Sequence, residues 1–332
     1  MIRLGMVGTN FISDTFVASI EDADLKLQAV VSGHRENAEK FAEKYNIPSV
    51  YNSLEEMLES KTVDAVYIAT PNGMHVPMTK ICISYRIPVL TEKPFAVNEA
   101  QAKEVFDLAR KNNVLVQDAI VPLYTKNFQI LKQTVTTIGT VRRVFFNYSR
   151  YSSRYDAYRA GKNPTTFRYE LCNGTFMDLG IYCVSDLVGL FGQPQVIQSH
   201  AVKLATGVDG TSSAIVSYPD FDGFIMASKI STSVFDSEIE GEDGMIRIAN
   251  PGILSSIVHI DRVTKQEKEL AEACERPMSA EIHDFINNIK AGRTESEVVP
   301  HAMTLSILHT LDQCRYKAGI RYAGEKEEGE SL

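Results

Sequence analysis

Short apolar runs alternate with amphipathic segments over the first 120 residues, and this alternation limits the fold more than any other feature of the chain. Five runs have the length and composition of buried strands: Ile2–Val7, Leu27–Val31, Ala65–Ala69, Pro88–Thr91 and Leu115–Gln117. Helical spacing predicts a helix over Arg35–Tyr45, and capping residues predict helices after Ser53 and Asn98. Because strands that alternate with helices form β-α-β units, these residues are predicted to form a doubly wound parallel sheet.

The pattern changes after residue 120, where β-rich runs are separated by tight-turn signals. These runs are Arg143–Tyr148, Ala214–Tyr218, Phe224–Ile230 and Ile253–Ile260. Successive strands joined by tight turns predict a mostly antiparallel sheet. A helix is predicted over 301–317, and the polar residues 324–332 are predicted to be frayed. The expected fold class is α/β, with domains at residues 1–120 and 121–332.

Composition excludes several classes of function. The chain has 332 residues, a net charge of −8 and 44% hydrophobic residues. Nucleic acid and anionic membrane both require a basic face, so neither is expected as a partner. No apolar run reaches the roughly 20 residues of a membrane helix, and the N-terminus does not resemble a signal peptide. Five widely spaced cysteines favour reduced thiols over disulfides or a metal site, so a cytoplasmic location is expected.

The turn after the first strand is a candidate phosphate-binding site. Small residues there let the backbone approach a dinucleotide pyrophosphate at a helix N-terminus. Against the pattern G-x-G-x-x-G only Gly8 matches, since Asn10 and Ser13 replace the other two glycines. We expect Asn10 to tolerate positive φ and to donate to phosphate. An ordinary strand–turn–helix is the alternative. The candidate cofactor-binding residues in this turn are Gly8, Thr9, Asn10, Phe11 and Ile12.

The end of the second strand indicates which dinucleotide is used. An acidic residue there binds the ribose hydroxyl of NAD, whereas basic and hydroxyl residues accept the phosphate of NADP. This chain has Val31-Ser32-Gly33-His34-Arg35, without an acid. Arg35, supported by Ser32, is predicted to pair with the phosphate, which favours NADP(H) over NAD(H). The alternative is that Arg35 is a solvated residue at the start of a helix.

Two further strand ends carry candidate residues. Thr70, Pro71, Asn72 and His75 follow the third of the five apolar runs, where a turn exposes backbone groups to the nicotinamide side of a dinucleotide. His75 is more typical of a capping or packing residue than of a catalyst.

Glu92-Lys93-Pro94 ends the next run. A lysine beside a nicotinamide orients a substrate oxygen and stabilises its developing charge, and Glu92 is a candidate to steady the ammonium or the ribose. A surface Lys-Pro at a strand end is the alternative for this tripeptide.

Taken in order, the Gly-x-x-Gly turn, Ala-Thr-Pro-Asn-x-x-His, Glu-Lys-Pro and Asp178-Leu-Gly-Ile-Tyr182 resemble the glucose–fructose oxidoreductase / inositol dehydrogenase (Gfo/Idh/MocA) family over nearly the whole chain. The form of the last motif that ends in Tyr182 is most similar to the motif of dimeric dihydrodiol dehydrogenases and NADP-dependent D-xylose dehydrogenases. The resemblance implies an N-terminal Rossmann domain and a C-terminal α+β domain with a large open sheet that often forms oligomers. A homodimer or homotetramer is therefore expected.

The resemblance also implies roles for individual residues. Lys93 would be catalytic or substrate-orienting, with a cis peptide before Pro94. Tyr182 would be the general acid/base, and Lys93 would stabilise its phenolate, which does not otherwise form near neutral pH. Asp178 would position the substrate or Lys93, sharing a helix face with Tyr182 four residues on. Arg168, in an aromatic–Arg pair, is a substrate-binding candidate.

The expected function is an oxidoreductase that transfers a hydride between a nicotinamide and a small sugar, polyol or cyclic hydroxy compound, without a metal. The alternative is a dinucleotide-binding sensor or regulator without turnover. The segment 148–158, which is rich in tyrosine and arginine, fits either a substrate-binding mouth or a protein interface.

Overall fold

The structure, a computed structural model, describes residues 1–21 and 24–325 and divides into two compact units. The first unit comprises the described residues of Met1–Tyr124 and Glu275–Leu305, and the second comprises Thr125–Cys274 and residues 306–325. The predicted frayed segment falls largely outside the described residues, since only 324 and 325 of it are described.

The first unit is built around a six-stranded parallel sheet with the order β3-β2-β1-β4-β5-β6. Its strands are β1 (Ile2–Val7), β2 (Leu25–Val31), β3 (Ser49–Tyr51), β4 (Ala65–Ile68), β5 (Val89–Glu92) and β6 (Val116–Ala119). The helices between and after them are α1 (Phe11–Ala18), α2 (Arg35–Tyr45), α3 (Leu54–Glu59), α4 (His75–Ser84), α5 (Glu99–Asn112) and α6 (Val121–Tyr124). The predicted doubly wound parallel sheet is confirmed.

Burial explains why these sequences form strands of a parallel sheet. Every residue of β4, β5 and β6 is buried, as expected for parallel strands that are covered on both faces. The strand order reverses between β1 and β4, because the chain builds outward first to β3 and then, from β4, to β6. In open α/β sheets, ligands bind at such a switch point, outside the carboxyl ends of the strands.

Local capping fixes where the flanking helices begin. The side chain of Ser53 accepts from Glu56 N at 3.1 Å, and that of Asn98 accepts from Gln101 N at 2.9 Å. Both residues were predicted as helix starts. The carboxylate of Glu56 bonds the amide of Asn52 at 2.9 Å, so the reciprocal bond of this cap lies one residue earlier than in a standard capping box.

The second unit contains an eight-stranded sheet with the order β14-β13-β12-β11-β7-β10-β9-β8. Its strands are β7 (Val141–Ser149), β8 (Val196–Lys203), β9 (Asp209–Ser217), β10 (Asp222–Ser228), β11 (Ser237–Gly241), β12 (Gly244–Ala249), β13 (Ser256–Asp261) and β14 (Glu267–Glu269). The pair β7 and β10 is parallel and the other pairs are antiparallel, as the sequence predicted for most of this sheet. Its helices are α7 (Lys126–Val135), α8 (Tyr155–Arg159) and α9 (Ile181–Phe191).

The segment Tyr169–Phe191, which ends with α9, is the one described stretch with the length and hydropathy of a membrane span. The mean hydropathy of its most apolar 18-residue window is 1.3, and 67% of that window is buried inside the fold. Burial of that extent is typical of a core helix.

Two helices complete the chain, α10 (Ser279–Lys290) and α11 (His301–Lys317), and the bounds of α11 match the prediction. Residues 275–305 belong to the first unit, whereas the sequence assigned them to the second domain. Their contacts explain the difference, since Gln117 of β6 bonds the backbone of α10 and His301 Nε2 lies 2.9 Å from Val116 O. Pairings across more than 160 residues leave no local periodic pattern in a sequence.

The first unit also buries three carboxyl groups near one another. Glu92 of β5, Asp118 of β6 and Glu281 of α10 are each at most 5% exposed. Burial raises the pKa of Asp118 to about 7; the nearby Glu92 acts in the same direction, while Thr304 and Lys93 act against it. Burial also raises the pKa of Glu281 well above its ordinary range, with Glu92 and Asp118 contributing. The folded unit therefore favours the neutral forms of Asp118 and Glu281.

We expect replacement of Asp118 by Asn to change how stability depends on pH. Folded Asp118 holds its proton to about pH 7, whereas an unfolded Asp releases it near 3.8. The folded state thus binds more protons between those values, so this group lowers the free energy of unfolding as pH rises. The free energy of unfolding of Asp118→Asn, minus that of the unaltered protein, should therefore be greater at pH 8 than at pH 5 by roughly 2–3 kcal/mol.

Urea unfolding of both proteins at the two pH values measures this difference. The control is Asp107→Asn, because Asp107 is exposed on α5 and its pKa is lowered by Lys103 and Arg110, so it contributes no pH dependence in this range. An equal pH dependence in Asp118→Asn and the unaltered protein would contradict the assignment.

Candidate functional site

The turns that follow β1 and β4 meet at the switch point of the first unit's sheet. Gly8 has φ +106, and a Cβ placed on it would lie 2.1 Å from the carbonyl oxygen of Ala69. Gly8 N donates to Val31 O at 2.9 Å, which links the same turn to the end of β2. A side chain at Gly8 would separate these strand ends, so the glycine is required by close backbone approach.

Asn10 has a different role from the predicted one. Its φ is −89 rather than positive, and it is the N-cap of α1. The Oδ1 atom accepts from Ile12 N at 2.9 Å and Ser13 N at 3.4 Å, while Nδ2 donates to Ala69 O at 2.9 Å. The side chain therefore caps α1 and connects the β1 turn to the end of β4, and one N–H of its amide is used by the carbonyl of Ala69.

The other residues of this turn leave its surface open. Ser13, at the position of the third glycine, is buried and donates to Gly8 O at 3.0 Å. Phe11 at the start of α1 is 76% exposed, while Thr9 and Ile12 are half-buried. The Thr9 hydroxyl lies 3.0 Å from that of Ser32, which brings the turns after β1 and β2 together.

Arg35 begins α2 on the exposed side of the Ser32 turn. Its Nε bonds Glu39 at 2.8 Å and a terminal guanidinium nitrogen bonds the Asn52 side chain at 2.6 Å. The side chain is 54% exposed, so the guanidinium remains accessible from solvent while these two partners hold it beside the turn. Sequence reasoning did not identify Asn52, because this residue is 17 positions from Arg35 and the two meet only in the folded chain.

His75 joins the turns that follow β4 and β5. It is 1% exposed, and its two ring nitrogens lie 2.8 Å from Thr70 O and 2.8 Å from Pro94 O. Burial lowers the pKa of His75, although both carbonyls act in the opposite direction. The ring is enclosed by the protein and positions the two turns, and its predicted part in the cofactor site stays a prediction.

The β4 turn itself presents Thr70, Pro71 and Asn72. Pro71 is exposed and precedes a short 3₁₀ turn over Asn72–Met74, closed by a bond from Met74 N to Pro71 O. The Thr70 hydroxyl is buried and has no hydrogen-bond partner among the described residues. A buried hydroxyl without a partner is costly, and a ligand group at this edge would satisfy it.

Lys93 follows β5 and is half-buried, and its peptide bond to Pro94 is cis, as the family resemblance implies. Lys93 lies close enough to Asp118 to oppose the rise in that carboxyl's pKa. Glu92 is 5% exposed and accepts from the Tyr67 hydroxyl at 2.6 Å. The Glu92 carboxylate is thus held inside the unit at the end of β5, and its predicted contact with the cofactor stays a prediction.

These turns fit a dinucleotide. The backbone at Gly8 has no Cβ, α1 begins beside it, and hydroxyl and guanidinium groups end the second strand without an acid. Backbone N–H groups at a helix N-terminus bind phosphate oxygens, and a glycine lets them come close. A guanidinium forms a bidentate pair with phosphate. No group of three or more His, Cys, Asp or Glu that could hold a metal ion occurs among the described residues.

In the second unit, the segment that carries Asp178 is anchored by Asp209. One carboxylate oxygen of Asp209 accepts from Phe176 N at 2.7 Å, and a Cβ on Gly174 would lie 1.9 Å from the other. The Thr175 hydroxyl bonds the carbonyls of Asp209 and Gly210, both at 2.8 Å. The glycine is therefore required for this approach, which sets where the next turn begins.

Asp178 lies in a π-helical turn over Phe176–Gly180 that leads directly into α9. The expected α-helical relation between Asp178 and Tyr182 is therefore interrupted, because the π turn is wider than an α turn. Asp178 forms an ion pair with Lys229, whereas the Tyr182 ring packs edge-on against Tyr148 with centroids 5.6 Å apart. Asp178 and Tyr182 are both half-buried.

Sequence reasoning missed Lys229. It directly follows β10 in the chain, and its side chain is 4% exposed. The available signal was a single charged residue inside an apolar strand pattern, Phe224–Ile230, which was used only to predict the strand. Buried lysines are rare unless they are paired.

Arg168 and the tyrosine-rich segment lie near this ion pair. Arg168 is half-buried and its Nε donates to Asn163 O at 2.9 Å. Its neighbour Phe167 is fully buried against the rings of Tyr155 and Tyr158, with centroids 5.6 and 5.3 Å apart. The tyrosines thus form an aromatic cluster that supports Phe167, and this packing is compatible with either earlier interpretation of the segment.

Family models match both parts of the chain. Residues 2–119 match the model described as "Oxidoreductase family, NAD-binding Rossmann fold", and residues 128–247 match the "GFO/IDH/MocA C-terminal domain". These are the family and the two domain types that the sequence motifs indicated.

Relatives of known name match over nearly the full length. Scyllo-inositol 2-dehydrogenase (NADP(+)) of Bacillus subtilis is 37% identical, covering 98% of this chain and 100% of that protein. Trans-1,2-dihydrobenzene-1,2-diol dehydrogenase of Mus musculus is 28% identical, covering 98% and 99%. Both are dehydrogenases that act on CH–OH groups.

Solved structures share the fold. An oxidoreductase from Thermotoga maritima has a TM-score of 0.82 at 23% identity, covering 96% of this chain and 97% of that one. A 3-ketoreductase from Actinomadura kijaniata, solved with TDP-benzene and NADP, has a TM-score of 0.81 at 17% identity, covering 95% and 96%. With the family models and the identity to the bacterial dehydrogenase, these results show that the chain belongs to the GFO/IDH/MocA family of NAD(P)-dependent oxidoreductases.

Proposed function

We propose that this enzyme uses NADP(H) to oxidise or reduce a small cyclic polyol or sugar, with Tyr182 as general acid/base and Lys93 as its partner. The observation that carries the proposal is the edge of the first unit's sheet, where the turns after β1, β2, β4 and β5 are held together by Gly8, Thr9, Asn10 and His75. That edge is the switch point at which open α/β sheets bind dinucleotides.

The preference for NADP rests on the end of the second strand. Ser32 and Arg35 supply a hydroxyl and an accessible guanidinium, and no carboxylate from Val31–Arg35 is present to bind a ribose hydroxyl. The name of the 37% identical bacterial relative specifies NADP(+), which supports the same choice. In this chain, Glu39 holds the Arg35 guanidinium until a phosphate competes for it.

The substrate class is proposed from the relatives together with the chemistry of the residues. One relative is named for scyllo-inositol and another for a dihydrobenzene diol, and both compounds are rings that carry adjacent hydroxyl groups. A carboxylate such as Asp178 accepts hydrogen bonds from hydroxyl groups and would orient such a ring.

The proposed mechanism assigns one task to each side chain. The turns at Gly8 and Arg35 would hold the dinucleotide, whose nicotinamide would supply the hydride chemistry. The phenol of Tyr182 moves the proton of the reacting hydroxyl, and the ammonium of Lys93 stabilises the phenolate and the developing charge on the substrate oxygen. Asp178 holds a second hydroxyl, and Arg168 is a further candidate for substrate binding. These roles rest on the family resemblance of the Glu-Lys-Pro and Asp-x-Gly-x-Tyr motifs.

We also propose that the protein forms a homodimer or homotetramer through the sheet of the second unit. Strands β8, β9 and β10 expose apolar side chains, among them Val202 at 51%, Ile215 at 45% and Met226 at 41%. By their pairing these residues lie on one face of the sheet, and exposed apolar residues on a sheet face are typical of a surface that a partner covers. We further propose a reducing, cytoplasmic location, because the five cysteines are widely spaced and form no disulfide among the described residues.

Replacement of Tyr182 by Phe tests the proton-transfer role. We expect kcat to fall by about 10²–10⁴-fold, because the variant has no hydroxyl to exchange a proton. NADPH binding, followed by the fluorescence of the cofactor, should be unchanged. The matched control is Tyr85→Phe, which should retain full activity. It removes the hydroxyl of a surface tyrosine that donates to the Glu59 carboxylate. Unchanged turnover in Tyr182→Phe would remove this residue from the mechanism.

Replacement of Arg35 by Ala tests the cofactor preference. We expect kcat/KM for NADP⁺ to fall roughly 10- to 100-fold with little change for NAD⁺, because only NADP carries the phosphate that a guanidinium binds. Arg110→Ala, on the exposed face of α5, is the control for a general loss of positive charge. Equal losses with both cofactors would show that Arg35 does not recognise the phosphate.

A spectrophotometric assay of NADP⁺ and NAD⁺ reduction with inositols, aldoses and trans-dihydrodiols tests the proposal as a whole. We expect faster reduction of NADP⁺ with at least one inositol or dihydrodiol than with any aldose, because the two named relatives are dehydrogenases of such compounds. Tight NADPH binding without turnover of any compound would instead favour the sensor hypothesis.

A further inference from the structure

Lys229 makes three contacts that hold its ammonium in one place. It forms an ion pair with Asp178, its Nζ donates to the Thr166 hydroxyl at 2.6 Å, and the same atom lies 5.6 Å from the centroid of the Phe167 ring. The side chain is 4% exposed, whereas that of Asp178 is 38% exposed. The pair therefore has one end enclosed by protein and one end that reaches solvent.

Burying the lysine end of this pair costs free energy. A buried ammonium loses its hydration, and the attraction of one half-exposed carboxylate compensates for that loss only in part. An exposed lysine would pair with Asp178 without the same loss. A surface ion pair, however, would hold the carboxylate weakly, since such pairs contribute little and keep their side chains mobile. A buried ammonium holds one oxygen of Asp178 in a defined position.

The backbone around Lys229 links this pair to the anchor of the π turn. Lys229 N donates to Gly210 O at 2.9 Å, and Ser152 N donates to Lys229 O at 2.8 Å. Gly210 and Asp209 are the residues whose carbonyls bind the hydroxyl of Thr175 at the start of that turn. The π turn is therefore held at its start by Asp209 and at Asp178 by Lys229, both from the same sheet.

We propose that Lys229 is a positioning residue for the reaction: it holds the carboxylate of Asp178 in place for a substrate hydroxyl and, through Thr166 and Phe167, links that carboxylate to the segment that carries Arg168. The inference rests on the proposed function, because it requires Asp178 to take part in turnover. Lys229 acts through Asp178 and makes no contact with the reacting atoms in this scheme.

A double-mutant cycle on the full-length enzyme tests the inference. The four proteins are the unaltered enzyme, Lys229→Met, Asp178→Asn and the double variant, each assayed with NADP⁺ and its best polyol. We expect Lys229→Met to lower kcat/KM about 10- to 100-fold, mostly in kcat, because a carboxylate displaced by about 1 Å is misaligned. In the Asp178→Asn background the same change should have almost no further effect.

Three measurements separate positioning from a purely structural role. NADPH affinity should be the same in all four proteins. Thr166→Val, which removes the neutral partner and leaves the ion pair, should cost less activity than Lys229→Met. Lys268→Met, on the exposed edge strand β14, should leave activity unchanged. If Lys229→Met does not fold, Lys229→Gln replaces it in the cycle, because the amide keeps a donor for Thr166 and removes the charge that pairs with Asp178. Its loss in kcat/KM should be smaller than that of Lys229→Met and should still disappear in the Asp178→Asn background.

The outcomes are distinct. Equal losses from Lys229→Met in both backgrounds, or no loss in either, with an active unaltered enzyme would overturn the inference alone. The absence of turnover in the unaltered enzyme with every compound of the panel would remove the proposed function and this inference together. A loss confined to the background with Asp178 intact supports it.

Discussion

The close approach of Gly8 to the carbonyl of Ala69 is the constraint on which the first unit's candidate site depends. At the switch point, this contact joins the turns after β1 and β4, and Asn10 donates to the same carbonyl. A backbone without a Cβ here lets the two strand ends come together beside the N-terminus of α1. His75 then links the β4 turn to Pro94, which follows Lys93. The cofactor-side residues are thus positioned mainly by backbone contacts and buried polar bonds.

In the second unit, the proposed functional side chain of Asp178 is positioned by buried ionisable groups. Two buried ionisable residues, Asp209 and Lys229, act on the start and the middle of one π turn. Burial raises the pKa of Asp209, and its bonds to Ser212 and Phe176, with the charge of Lys229, oppose that rise. Charges in such surroundings are stabilising only while their partners stay in place, so the turn that carries Asp178 has little freedom to rearrange.

Prediction from the sequence succeeded where a feature is local. The helix over Arg35–Tyr45 and the bounds of α11 follow from apolar spacing, and Ser53 and Asn98 were identified as caps because capping needs only neighbouring residues. It failed where a side chain's partner is distant. Asn10 was expected to adopt positive φ and to donate to phosphate, and the bond from its amide to Ala69 O, 59 residues away, was not predicted. Its φ is negative, and its side-chain oxygen caps α1 through the neighbouring amides of Ile12 and Ser13.

The sequence by itself determined the family, the alternation that builds a parallel sheet, and the chemical groups available for catalysis, because short motifs and periodic patterns are encoded within a few neighbouring residues. Only the tertiary structure decided that residues 275–305 belong with the first unit, that Glu92 and His75 face the protein interior, and that Lys229 pairs with Asp178 across 51 residues. Burial and pairing depend on which distant segments pack together, and these properties determine whether a charged group meets a ligand or supports the residue that does.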